Sequence, residues 1–260
     1  MFKKLVKYEF KAIGKWYLGI YAAVLVLSGV LGFWLQALFV RAQADNMVEP
    51  RTGEAILLGT SFMTFGILIA ALFLSTFVLV INRFRKNVYG RQGYLTMTLP
   101  VNSHQIILSK LLVSVIWYSL ATITALLSIF IIFLAILKSD NEIFYSFSDW
   151  ISSFGQMNWT MAFSWVVYLL IVTIARVLLI YFAISVGQLF KDHRLLFAIL
   201  TYIGISIILS VFVNLFLFNT TADYLISAYP NPFLALFNII LGFAYYFGTH
   251  FIMTKKLNLQ

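Results

Sequence analysis

The chain contains no cysteine and little charge. Without thiols, neither a disulfide framework nor a thiolate-bound metal is possible. Only 10% of its 260 residues are charged, where a soluble domain carries roughly a quarter. Acids are the scarcer sign, nine against eighteen lysines and arginines, and none falls inside a long apolar run. With 62% of residues hydrophobic, a water-soluble chain of this length has more apolar surface than one core can hide. The chain is therefore expected to face lipid. Lipid supplies no partner for backbone N–H and C=O groups, so only helices or closed barrels span it. Barrel strands alternate in polarity over short segments. Here the apolar runs are long and continuous, which predicts an all-α polytopic membrane protein. The first run is too long for a signal-peptide core and lacks a small-residue cleavage site, so no removable signal is expected.

A hydrocarbon layer of about 30 Å takes about 20 helical residues. Six runs meet that length, over residues 16–40, 55–81, 105–137, 160–190, 195–218 and 233–253, and are read as one transmembrane domain covering 1–260. Placing the N-terminus in the cytoplasm puts 14 of the 18 basic residues on that side. Only Arg41, Arg51 and Lys138 fall outside, and Arg176 lies within a span. Glu9 and Asp192 are the only acids then inside. The positive-inside rule thus predicts both termini in the cytoplasm. The formal charge of +9 is read as this topology signal plus attraction to anionic lipid headgroups, not as nucleic-acid binding.

Ahead of the first span, Phe2, Leu5, Val6, Phe10, Ile13 and Tyr17 recur at helical spacing with lysines between them. That pattern predicts an interfacial amphipathic helix leading into the membrane. The longest cytoplasmic connection, 82–104, begins as a basic exit from the second span. Gly90 and Gly93 then offer turns through positive φ. Residues 94–99 form a short amphipathic element, Pro100 stops regular structure, and Asn102 or Ser103 caps the next helix. An element of this kind, held between turns, suits docking into a groove on a partner.

The stretch Gly93-Tyr-Leu-Thr-Met-Thr-Leu-Pro-Val, followed by Ile106-Ile-Leu-Ser-Lys-Leu-Leu, resembles the loop of type-2 ABC (ATP-binding cassette) exporter permeases. There a G-x-L-x-x-x-L-P-V-like segment precedes a span opening on an I-x-x-S/G-K-L pattern. The start Met-Phe-Lys-Lys-Leu-Val-Lys-Tyr-Glu-Phe-Lys is similar to the elbow helix of that family, with Phe2, Leu5, Val6, Tyr8, Glu9 and Phe10 as its residues. One departure is Arg91-Gln92, where the family commonly has acids before the glycine-aromatic pair. The resemblance implies a permease subunit of the bacterial plasma membrane, paired with a second permease copy and with separate cytosolic ATPases. ATP and Mg would be bound by those partners. Arg91, Gly93, Tyr94, Leu95, Thr96, Leu99 and Pro100 would form the coupling helix that meets the ATPase. No G-x-x-x-x-G-K-S/T phosphate loop occurs here, so any hydrolysis is borrowed. Relatives with this elbow and loop often serve peptide export or antimicrobial-peptide immunity, which implies an amphipathic peptide as cargo.

Among single residues, Arg176 is the one charge deep in a span, a placement that calls for a polar path, an interface or a lipid phosphate. Asn214, in the fifth span, is expected to make an interhelical hydrogen bond. Gly29, Gly32, Gly66 and Gly204 are expected to allow close helix packing. His104, His193 and His250 lie near cytoplasmic ends of spans without metal-ligand spacing, so no metal is expected. The external acids, Glu49, Glu54, Asp140, Glu142, Asp149 and Asp223, are read as ordinary solvation. Aromatics Phe144, Tyr145, Phe147 and Trp150 suggest a small helix on the outer interface. No cluster of acids, histidines or activated nucleophile marks an enzyme. The competing reading is an ATP-independent secondary transporter or channel, against which stands the lack of intramembrane carboxylates for proton coupling.

Overall fold

A computed structural model describes residues 2–44, 52–90, 102–137, 158–190, 192–225 and 229–255. These hold six long helices: α1 (Phe2–Ala44), α2 (Thr52–Phe84), α3 (Ser103–Leu137), α4 (Trp159–Gly187), α5 (Arg194–Leu225) and α6 (Pro232–Lys255). No strand occurs among the described residues. All six helices are long and apolar enough to cross a membrane, the spans being Gly14–Leu38, Ala55–Tyr89, Ser103–Ala135, Trp159–Gly187, Arg194–Leu215 and Pro232–Lys255. The fold is all-α and polytopic, as composition predicts. The amphipathic lead-in is helical and continuous with the first span, because α1 runs unbroken from Phe2.

The second helix departs most from expectation. Residues 82–87, read as a basic exit, stay helical, and the helix ends in a π-helical stretch, Arg85–Tyr89. Phe84 and Val88 there are buried, so tertiary packing holds the turn that charge alone would release. Gly90 then has φ −90°, so positive φ is not why glycine stands there. A Cβ at this position would lie 2.6 Å from the Lys86 carbonyl oxygen. Close approach is the reason.

The Cα positions cluster into two compact units that alternate along the sequence: residues 1–10, 78–116 and 158–260 form one, residues 11–77 and 117–157 the other. The second unit centres on Trp117, 1% exposed. Its indole stacks on the Tyr17 ring, with centroids 4.3 Å apart and planes at 11°. Tyr21 meets the indole edge-on and donates its hydroxyl hydrogen to the Trp117 carbonyl at 2.9 Å. Further along α1, Gly32 packs on α3, where a Cβ would stand 3.2 Å from that of Ala135. The expectation for glycine thus holds at Gly32. A Cβ built at Gly29, Gly66 or Gly204 would meet nothing within 4 Å beyond its own helix among the described residues.

In the first unit, α4 is the central element and packs on both α5 and α6. Phe84 of α2 stacks on Tyr181 of α4 with centroids 3.9 Å apart, and the Tyr181 hydroxyl shares a 2.8 Å hydrogen bond with Ser114 of α3. Asn158 caps α4 by accepting from the Thr160 N–H. Asn231 caps α6 in the same way, accepting from the Phe233 N–H at 2.9 Å, with Pro232 in the first helical position where its missing N–H costs nothing.

Gly187 ends α4 against the start of α5. A Cβ there would meet the Arg194 carbonyl oxygen at 2.5 Å, the Ala198 Cβ at 2.7 Å and the Ala198 nitrogen at 2.9 Å. Two of those three atoms are backbone and cannot rotate away. Gly187→Ala is therefore expected to cost about 1–3 kcal/mol by overpacking, read as a lower thermal transition in detergent. Gly204→Ala, with open space around it, is the control expected to change little.

Candidate functional site

Two polar sites stand out in an otherwise apolar molecule, and both lie within the first unit. The first gathers around Glu9. Its Oε1 accepts from Lys110 Nζ at 2.6 Å and from Asn87 Nδ2 at 3.2 Å, and its Oε2 accepts from Arg83 Nε at 2.8 Å. Glu9 is 7% exposed and Lys110 only 4%. Burial pushes the Glu9 carboxyl pKa up, but the Lys110 ammonium and Arg83 guanidinium outweigh it and hold it below its ordinary value. Two cations share one carboxylate, and the half-buried Arg83 carries the surplus toward solvent. The network joins the first turns of α1, the end of α2 and the start of α3. The last two flank residues 91–101. A further tie holds the same end, since the Tyr89 hydroxyl donates to Ser185 Oγ of α4 at 2.6 Å.

Glu9 and Lys110 come from the two segments that carry the family resemblance, and their pairing was not foreseen. Its signal was available: Glu9 is the lone acid among the five lysines of residues 3–15, on a segment otherwise built for a negatively charged surface. Arg91, Gly93, Tyr94, Leu95, Thr96, Leu99 and Pro100, expected to form a coupling helix, lie outside the described residues. So do Glu49, Asp140, Glu142, Asp149, Phe144, Tyr145, Phe147 and Trp150, and the side chains of Glu54 and Asp223.

The second site is a cavity of about 320 Å³ between α4, α5 and α6, lined by Arg176 and Tyr168 from α4, Ser206, Ser210 and Asn214 from α5, and Asn238 and Tyr245 from α6, with apolar walls between. Arg176 and Asn214, singled out separately in the sequence, thus meet in one place. Among the described residues the Asn214 amide donates within its own helix, to the Ser210 carbonyl one turn back at 2.8 Å, and no interhelical bond from it is described. Asn238 likewise donates to Leu234 at 2.7 Å. The spare valence of each amide remains for the cavity. Ser206 Oγ is buried with no hydrogen-bond partner. Among the described residues, Arg176 has neither an ion pair nor a hydrogen bond. Arg176 is itself exposed at the rim of this cavity, and an unpaired charge at the centre of a bilayer costs about 2.5–3.5 kcal/mol on insertion scales.

The histidines divide. His104 and His250, distant in sequence, stack with centroids 3.9 Å apart, and His104 Nδ1 lies 2.6 Å from the Tyr246 hydroxyl. His193 stands apart with φ 53° in the turn before α5, where its carbonyl accepts from the Phe197 N–H. No group of three metal-ligating side chains occurs among the described residues. Set against family models, curated proteins and solved structures, the chain shows no match.

Proposed function

We propose that this chain is the membrane permease subunit of an ATP-driven exporter, which works with a second permease copy and with separate cytosolic ATPases. In this reading it lies in a bacterial plasma membrane with both termini in the cytoplasm, and hydrolysis of ATP with Mg belongs to the partner. The observation that carries the proposal is the ion network. Glu9 of the lead-in helix and Lys110 of the Ile106-to-Leu112 segment are bound at 2.6 Å, which ties together two of the stretches that resemble exporter permeases.

The mechanism follows from that clamp. The network links the described ends that flank residues 91–101 in sequence, the end of α2 and the start of α3, to α1. If ATPase closure moves the coupling segment 94–99, the end of α2 and the start of α3 must follow. Through Glu9 the start of α1 is drawn along. Alternate opening of the two permease copies then moves cargo across. Amphipathic molecules, antimicrobial peptides among them, are the substrate class that the resemblance favours.

Copurification from detergent tests the proposal. Wild type is expected to bring down an ATP-binding-cassette protein, and Leu95→Asp/Leu99→Asp to lose it while eluting as a folded species. Wild type that purifies without any ATPase, in every preparation, would replace the exporter reading with an ATP-independent carrier or channel.

A further inference from the structure

We propose that the cavity between α4, α5 and α6 binds the phosphate group of an amphiphile, with Arg176 as its counter-charge. The inference is independent of how transport is driven.

Depth comes first. The helix carrying Arg176 has 29 residues, Trp159–Gly187, and the hydrocarbon layer takes about 20 of them. Whether that layer covers 159–178 or 168–187, or anything between, residue 176 lies inside it. The backbone of Arg176 therefore lies within the layer in every placement of the bilayer. A cation carried there needs a partner or water, and the described residues give it none.

The lining decides the sign of the partner. It holds one cation, two amides and the hydroxyls of Ser206, Ser210, Tyr168 and Tyr245, and no carboxylate. Ser206 Oγ, buried and unbonded, is a second group waiting for a partner, and it comes from a different helix. The site thus offers a planar guanidinium fork and several hydroxyl donors converging from three helices. That combination suits an anion with several acceptor oxygens. A phosphate ester fits it better than a carboxylate, which the fork alone would satisfy. The volume of about 320 Å³ stands at the small end of ligand pockets and takes a headgroup rather than a whole lipid. The apolar walls, Val172, Leu209, Val213 and Leu241 among them, suit the first carbons of an attached chain.

Equilibrium binding to the full chain in phosphatidylcholine nanodiscs tests this, with dodecyl phosphate as probe. Saturable binding of one molecule per chain is expected. Arg176→Gln should weaken it at least tenfold and Arg176→Lys only a few-fold, because lysine keeps the charge and loses the fork. Asn238→Leu should weaken it several-fold. Lys15→Gln, an exposed cation of the other unit, should leave it unchanged. Since Arg176 is a cost to the unliganded fold, its neutral variant is expected to remain folded, checked by monodisperse elution and an undiminished thermal transition. Displacement by phosphatidylglycerol in the disc would name a bilayer lipid as the source of the phosphate. Displacement by inorganic phosphate as effective as by dodecyl phosphate itself would name a free anion and overturn the amphiphile. Equal binding by wild type and Arg176→Gln would overturn the proposal. So would dodecyltrimethylammonium binding as tightly as dodecyl phosphate.

Discussion

Replacing Glu9 by glutamine is expected to unfold the protein far more readily than any surface change, at a cost of about 3–5 kcal/mol. The reason is the partner left behind. Lys110 is buried with its ammonium 2.6 Å from the Glu9 carboxylate, and its side chain is only 3% exposed. Glutamine preserves the shape and removes the charge, so the ammonium stays desolvated beside a neutral amide and the nearby Arg83 guanidinium. Lys110→Met in the Glu9→Gln background should recover much of the loss, since a buried pair replaced as a unit is nearly neutral. The measurement is a double-mutant cycle on the thermal transition in detergent. Single and double variants that lose equal stability would show that the pair is not the source.

The same pair predicts a pH response of definite sign. Glu9 has a lowered pKa in the folded state, so it binds protons more weakly there than in the unfolded chain, where a glutamate titrates near about 4.3. Its contribution is complete above that value and is lost as the pH falls through the lower folded value. Wild type should therefore lose stability on acidification below about pH 4.3 through this group. Glu9→Gln should be less stable at neutral pH but lack that component of the acid loss. Parallel curves for the two proteins would contradict the assignment.

The helices were legible because lipid leaves the backbone no alternative, and hydropathy reports the solvent directly. Boundaries failed where tertiary contacts outweighed local charge. The end of α2 reads as a loop because Arg83, Arg85 and Lys86 are basic, yet Phe84 stacks on Tyr181 and Arg83 binds Glu9, which keeps it helical. The candidate sites were half legible for a related reason. A lone charge in an apolar run is conspicuous, so Arg176 and Asn214 stood out from composition. Their neighbours Ser206, Asn238 and Tyr245 did not, because hydroxyls and amides occur in many spans and only the crossing of three helices brings these to one cavity. Glycine was ambiguous in the same way: Gly29 and Gly32 look alike in sequence, and among the described residues only Gly32 has another helix against it. Close approach is a property of the partner, which one-dimensional spacing does not carry.

Trp117→Ala is the second large effect, and it tests the other unit. In a membrane protein the lipid tails are as apolar as the core, so burial itself drives little helix association and close packing supplies most of it. Trp117 is the largest fully buried side chain among the described residues, with Tyr17 stacked on one face and Tyr21 at its edge. Truncation would empty the space between those rings, while the Tyr21 hydrogen bond to the residue 117 carbonyl remains possible. Trp→Ala changes in water-soluble cores cost about 3–5 kcal/mol. The lipid reference removes part of the transfer contribution and leaves the lost contacts, so about 3 kcal/mol is expected. Trp117→Phe keeps a ring against Tyr17 and should cost less than half as much. Thermal unfolding followed by circular dichroism, which needs no tryptophan signal, distinguishes them. An alanine variant as stable as the phenylalanine one would mean that the stacked ring contributes nothing and that α1 and α3 are held together elsewhere along Gly32 and Ala135.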